Sequence, residues 1–247
     1  MNSVTGAGPS DSAVLARSIA RQEADNCYNK GNQLAEQGDS EGAQKMYEKA
    51  LASHLEYLNG EVDERLADIY NNLGLVFEDQ SIFLNAVKMY EEALKTDITC
   101  LKTENHVKIA DTLSQLANVL EDLGNLDGAR EKNQMALEMK IACLGTEPHL
   151  SLAISYNNLG LVLQKQKKFE TAKEMHKEAL TIRVVCLKGE NHPDVAQSLT
   201  NLGDVYYELG ELARAIEFYT RAKASYQHSH SHNYDAFFAA KIAKCVN

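Results

Sequence analysis

The chain has no tryptophan and only three prolines in 247 residues. Scarce proline leaves helices uninterrupted, because proline inside a helix removes a backbone donor and clashes with the turn before it. Alternating Val/Ile/Thr runs closed by Asn-Gly turns are missing, so β-hairpins are not expected. No run of about 18 apolar residues is available to cross a membrane. The opening MNSVTGAGPSDS lacks the apolar core of a secretory signal. Positive charge is also short: 25 Lys and Arg face 35 Asp and Glu, for a net charge of −10. That balance argues against a nucleic-acid partner, whose phosphates need a basic face. Five cysteines without a CxxC spacing suggest neither a disulfide framework nor a zinc ribbon, and fit a reducing, cytoplasmic setting. Phosphate-binding GxxxxGK[ST], GxSxG and HExxH patterns are all absent, leaving no catalytic, metal or cofactor candidate. The expectation is therefore a protein that is not an enzyme.

What the chain does have is repetition. LGTEPHLSLAISYNNLG at residues 144–160 is rewritten as LKGENHPDVAQSLTNLG at 187–203, 43 residues later. The same period runs through five copies. Ala43, Ala86, Ala129, Ala172 and Ala215 form one column, and Ala50, Ala93, Ala136, Ala179 and Ala222 another. Gly31, Gly74, Gly160 and Gly203 form a third, with Ala117 in the remaining copy. Small residues at fixed positions let two helices approach closely. Within a copy, Leu66, Tyr70, Leu73 and Phe77 share one helical face. Gly38, Gly124 and Gly210 then punctuate the end of the first helix, while Ser81 and Lys167 interrupt that column. A longer second helix follows, then a loop holding Glu61, Glu104, Glu147 or Glu190, with His106, His149 or His192 in three copies. A histidine recurring at a loop-to-helix joint reads as a cap more readily than as a base.

The pattern NNLG…G…A…Y…AL resembles the tetratricopeptide repeat, and the joint HPDVA before TNLG resembles the long form found in kinesin light chains. The resemblance covers residues 24–228. It implies an all-α, right-handed superhelix, an α-solenoid of five helix-turn-helix repeats. The domain expectation is a disordered tail at 1–11, a five-repeat domain at 12–233 and a capping helix at 234–247. The repeats fall at about 24–66, 67–109, 110–152, 153–195 and 196–233. Phe238-Ala239 keeps register with Val195-Ala196, so the last helix is a first helix without its partner; such caps cover the open end of a repeat stack.

The resemblance also implies that first helices line a concave, ligand-binding face. On it lies an amide column of Asn29, Asn72, Gln115, Asn158 and Asn201, with Asn32 beside it. Amides offer both donors and acceptors, which suits the backbone of an extended peptide; the competing reading is a solvated polar row. The same face counts ten acids: Asp25, Glu36, Asp68, Glu78, Asp79, Asp111, Glu121, Asp122, Asp204 and Glu208, against Lys165 alone. Eight of them fall in the first three repeats, so the expected ligand is a Lys- or Arg-containing segment of a partner protein. Chaperone-binding repeats of this family grip acidic C-termini with lysines and an arginine. The matching positions here are Tyr28, Asp111 and Gln115, so an acidic chaperone tail is not expected there. The alternative reading is a scaffold subunit of a cytoskeletal or ciliary assembly that docks through second-helix surfaces and ends. Two features invite metal chemistry, the column Cys100, Cys143, Cys186 and the tract HSHSH at 228–232. The thiols recur one per repeat, too far apart to bridge, and read as packing residues. The histidine tract is a compositional hint only.

Overall fold

A computed structural model describes residues 11–103, 105–145, 147–227 and 234–246. The expectations for residues 1–10, for the HSHSH tract and for Glu104 lie outside the described residues. The chain divides into two compact units, Met1–Glu104 and Asn105–Asn247. Among the described residues every regular element is an α-helix. Unit 1 contains α1 (Asp11–Glu36), α2 (Ser40–Leu58), α3 (Glu64–Asp79) and α4 (Phe83–Leu101). Unit 2 contains α5 (Val107–Asp122), α6 (Leu126–Leu144), α7 (Leu150–Lys165), α8 (Phe169–Cys186), α9 (Pro193–Glu208), α10 (Leu212–Gln227) and α11 (Tyr234–Val246). Within each unit consecutive helices pair into hairpins, and each hairpin packs on the next. The first helices of the later hairpins begin at Glu64, Val107, Leu150 and Pro193, each directly after its capping residue, Asp63, His106, His149 or His192.

Each turn inside a hairpin has the same construction. At the end of α3, Ser81 N–H donates to the Glu78 carbonyl at 2.8 Å and Ile82 N–H to that of Phe77 at 2.7 Å. This pair of bonds satisfies the orphan carbonyls of the last turn and places one residue in the left-handed region. Gly38, Gly124 and Gly210 hold that place with φ between 75 and 79°. Ser81 and Lys167, which interrupt the glycine column, adopt it as well, each at φ 60°. All five turns are therefore alike despite two non-glycine residues.

The joints are capped from the side chain. His106, His149 and His192 each accept, through Nδ1, the backbone N–H two residues on, at 3.1–3.2 Å. Asp63 does the same for α3, accepting from Leu66 N–H at 3.0 Å. The recurring histidine is thus a helix cap, which supplies an acceptor where the first turn has none.

All ten residues of the two alanine columns are fully buried. The glycine column has a specific cause. A Cβ built on Gly31, Gly74, Gly160 or Gly203 would come within 2.5–2.6 Å of the ring of Tyr47, Tyr90, His176 or Tyr219, respectively. The ring comes from the second helix of the same hairpin and packs against the bare backbone of the first. In the third hairpin Ala117 replaces glycine, and the ring is replaced by the shorter Asn133. In α11, Phe238 is fully buried in a cluster with Leu199, Tyr219 and Ala222, and Tyr234 stacks on Tyr226 at 4.1 Å.

Candidate peptide-binding face

In unit 1, α1 and α3 place Asn32 and Asn72 side by side. Tyr47 Oη donates to Asn32 Oδ1 at 2.8 Å. Asn72 Nδ2 donates to the same oxygen at 3.2 Å and to Tyr28 Oη at 3.1 Å. Burial, then the neighbouring Tyr28 and Glu36, push the Tyr47 hydroxyl up to about 12, so it remains a donor. Asn32 Nδ2 and Asn72 Oδ1 make no hydrogen bond among the described residues. Around this network lies a depression of about 340 Å³ lined by Asn32, Asn72, Glu36, Asp79, Leu75 and Val76, with Ala35 and Tyr47. Glu36 and Asp79 are exposed, and neither has an ion-pair partner among the described residues. Leu75 is 40% exposed.

The other unit 1 candidates differ in their freedom. Asn29 is exposed, and Asp68 is half-buried. Glu78 accepts Tyr90 Oη at 3.0 Å, and with burial it keeps that phenol protonated. Asp25 lies 3.9 Å from Arg65, whose guanidinium sits 4.7 Å over the Tyr28 ring. The hydroxyls of the buried rings thus reach through the hairpin and tie down polar residues of the first-helix face.

In unit 2 the acids are largely answered by lysines. Asp111 binds Lys140 Nζ at 2.8 Å, and Lys140 itself is buried. Glu121 pairs with Lys165. Asp204 accepts from Tyr219 Oη at 2.7 Å and pairs with Lys241 of α11. Asn201 Nδ2 donates to Asn157 Oδ1 at 2.8 Å. Gln115 and Asn158 are half-buried, while Asp122 is exposed. A count of charges along first-helix columns misses Lys140 and Lys241, because one comes from a second helix and the other from the terminal helix. The acidic character is therefore better preserved at Glu36 and Asp79 than at Asp111, Glu121 and Asp204 of unit 2. The five cysteines are free thiols. No helix among the described residues is long and apolar enough to cross a membrane.

Comparison with known proteins agrees with this construction. BtubC (BKLC) from P. vanneervenii superposes with a TM-score of 0.75 at 26% identity, covering 90% of this chain and 91% of that one. The nearly identical TPR-like repeats of a kinesin light chain from Podosopora anserina give 0.69 at 17% identity, covering 87% and 98%. The apo form of RapI gives 0.75 at 17%, covering 92% of this chain and 62% of its own. No curated protein matches the sequence significantly. The family model of the tetratricopeptide repeat matches residues 23–99, 108–183 and 151–228. On these repeats, and on the paired helices that they form, the chain belongs to the tetratricopeptide repeat family.

Proposed function

We propose that the chain is a non-enzymatic binding module that receives a Lys- or Arg-containing segment of a partner protein on its amide-lined, acidic first-helix face. Proteins of this family generally mediate protein–protein interaction, and the fold is typically an interaction module. The observation that carries the proposal is the depression between α1 and α3. Its two amides keep one free donor and one free acceptor, which extended backbone can use whatever its side chains. Glu36 and Asp79, which have no ion-pair partner among the described residues, supply negative charge, and the exposed Leu75 supplies apolar surface for the methylenes of a long basic side chain.

The test is a fluorescence-anisotropy titration with a labelled Lys-Ala-Lys-Ala-Lys peptide at low and high salt. Wild type should bind more weakly as salt rises, because exposed charges are screened. Glu36→Gln with Asp79→Asn should weaken binding about tenfold or more, the loss expected for charge-assisted hydrogen bonds. Equal binding by both proteins would defeat the proposal and favour docking through second-helix surfaces.

A further inference from the structure

The first helix of unit 1 is longer than the first helices that follow it. One period before Glu64, where α3 begins, stands Arg21, whereas α1 begins at Asp11. Residues 11–20 therefore have no counterpart in α3, α5, α7 or α9. Residues 12–19 are all exposed, and Val14, Leu15 and Ile19 are each more than half exposed. With Ser18 they lie on one side of the helix. Arg17, one turn from Val14, borders that stripe; it is exposed and has no ion-pair partner among the described residues. A short helix with nothing packed on it is marginal in water, so this extension gains stability when its stripe is covered.

Unit 1 also carries a surface that departs from the pattern of its own repeat. In the turn before α4, Ile82 occupies a position held by Asp39, Asn125, Lys168 and Glu211 in the other hairpins. Asp39 and Asn125 each cap the following helix through a side-chain oxygen. Ile82 makes no such bond, so α4 forgoes that stabilisation. Leu84 stands where Glu41, Asp127 and Glu170 supply acids to a first turn. Ile82 is 41% exposed and Leu84 69%. Ile82 lines a depression of about 540 Å³ together with Glu41, Gln44, Lys45, Glu48 and Gln80. Gln80 Nε2 donates to the Ser40 carbonyl at 3.1 Å, and Gln44 Nε2 to Glu48 at 2.8 Å. Glu41 and Glu48 are exposed, outnumber Lys45 and have no ion-pair partner among the described residues. Exposed aliphatic side chains that displace a cap and an acid mark a surface kept for contact.

We propose that the α1 extension of one copy of this chain docks in the depression beside Ile82 of a second copy. Val14, Leu15 and Ile19 then cover Ile82 and Leu84, with Arg17 against Glu41 and Glu48. Each surface lacks what the other supplies, and every copy of the chain carries both. Packing two α1 extensions together would instead set Arg17 against its own copy, placing like charges in one seam. Both surfaces belong to unit 1, and the proposal does not rest on the reading of the α1/α3 face.

Sedimentation equilibrium of the full chain, from micromolar to near-millimolar concentration, should show a mass rising above the 27.4 kDa of one chain. Ile82→Asn with Leu84→Gln should weaken association about tenfold or more. Its thermal midpoint at the lowest concentration should equal or exceed that of wild type, since asparagine restores a cap, which separates lost contact from lost fold. Arg17→Glu alone, and Glu41→Lys with Glu48→Lys, should each weaken association, and mixing these two variants should restore it through the reversed pair. The mass of one chain at every concentration would overturn the proposal. Association lost with Leu15→Ser but kept with Ile82→Asn and Leu84→Gln would overturn the depression as the seat and leave α1 pairing with α1. A mixture that fails to associate would overturn the charge pairing. Glu36→Gln with Asp79→Asn should leave the mass unchanged, so this test and that of the peptide-binding face fail independently.

Discussion

Four hairpins carry a ring over a glycine, whereas the third carries Asn133 opposite Ala117. Asn133 is 1% exposed, and neither its Oδ1 nor its Nδ2 has a hydrogen-bond partner among the described residues. Each buried polar end left in that condition costs about 1–3 kcal/mol. Asn133→Tyr removes both ends and fills the seat used by Tyr90 one period earlier. Its hydroxyl would find Glu121 where Tyr90 finds Glu78. Alone, however, the new ring must lie on the Ala117 methyl, and a Cβ at the equivalent Gly74 stands 2.5 Å from Tyr90. Overpacking of that kind costs about 1–3 kcal/mol and cancels the gain. Ala117→Gly alone lowers stability by about 1 kcal/mol through helix propensity. Together the clash disappears and the gain remains. The double variant should exceed wild type by about 1 kcal/mol, with a coupling of about 2 kcal/mol between the sites, within the range for residues in contact. Urea unfolding of the four proteins, followed by far-ultraviolet circular dichroism, measures both quantities. A coupling below about 0.5 kcal/mol would mean that the ring does not take that seat, and the account of the glycine column would fall.

Ser81→Gly and Lys167→Gly should each raise stability by about 0.5–1 kcal/mol, since an L side chain at positive φ is strained there and glycine is not; a fall in thermal midpoint would contradict the shared turn geometry. Burial, and then the charge of Arg183, lower His176 from 6.5 to about 4. The unfolded chain therefore takes up a proton between pH 6.5 and 4 that the folded chain refuses. Stability from this group is complete above pH 6.5 and falls by about 3 kcal/mol as pH drops through that window. His176→Tyr, matching the other rings, should flatten the dependence when urea unfolding is compared at pH 7 and 4.5. Asp111→Asn removes the partner of a lysine that is 3% exposed. It should destabilise unit 2 by about 1–3 kcal/mol, and adding Lys140→Met should restore most of the loss in the same unfolding assay.

The period of 43 was legible because packing leaves little choice at the alanine columns, where every residue is fully buried. The histidine caps were legible for a similar reason, since the joint needs an acceptor at one fixed place. The glycine column was read as a close approach of two helices in general. Its actual cause is an aromatic ring 16 residues further along. That cause had a signal in the sequence, because Ala117 replaces glycine only in the copy where Asn133 replaces the ring. The turns at Ser81 and Lys167 were hidden because the tertiary frame imposes left-handed backbone on residues that do not prefer it. Charge on the candidate face was the hardest to read. Columns report which residues share a helix face, whereas pairing depends on lysines arriving from α6 and α11.

The seating of each ring on the glycine 16 residues before it makes hairpin closure a local event in the chain. The contacts that lock one hairpin do not wait for distant segments to arrive, so little loop entropy is lost before they form. Folding can therefore begin in any hairpin that carries the ring and spread to its neighbours. The third hairpin, with Asn133 in the ring position, is the least suited to start it. A kinetic map by substitution should show, within unit 2, nucleation in the later hairpins, with α5 and α6 ordered late by the α7/α8 hairpin that packs on them.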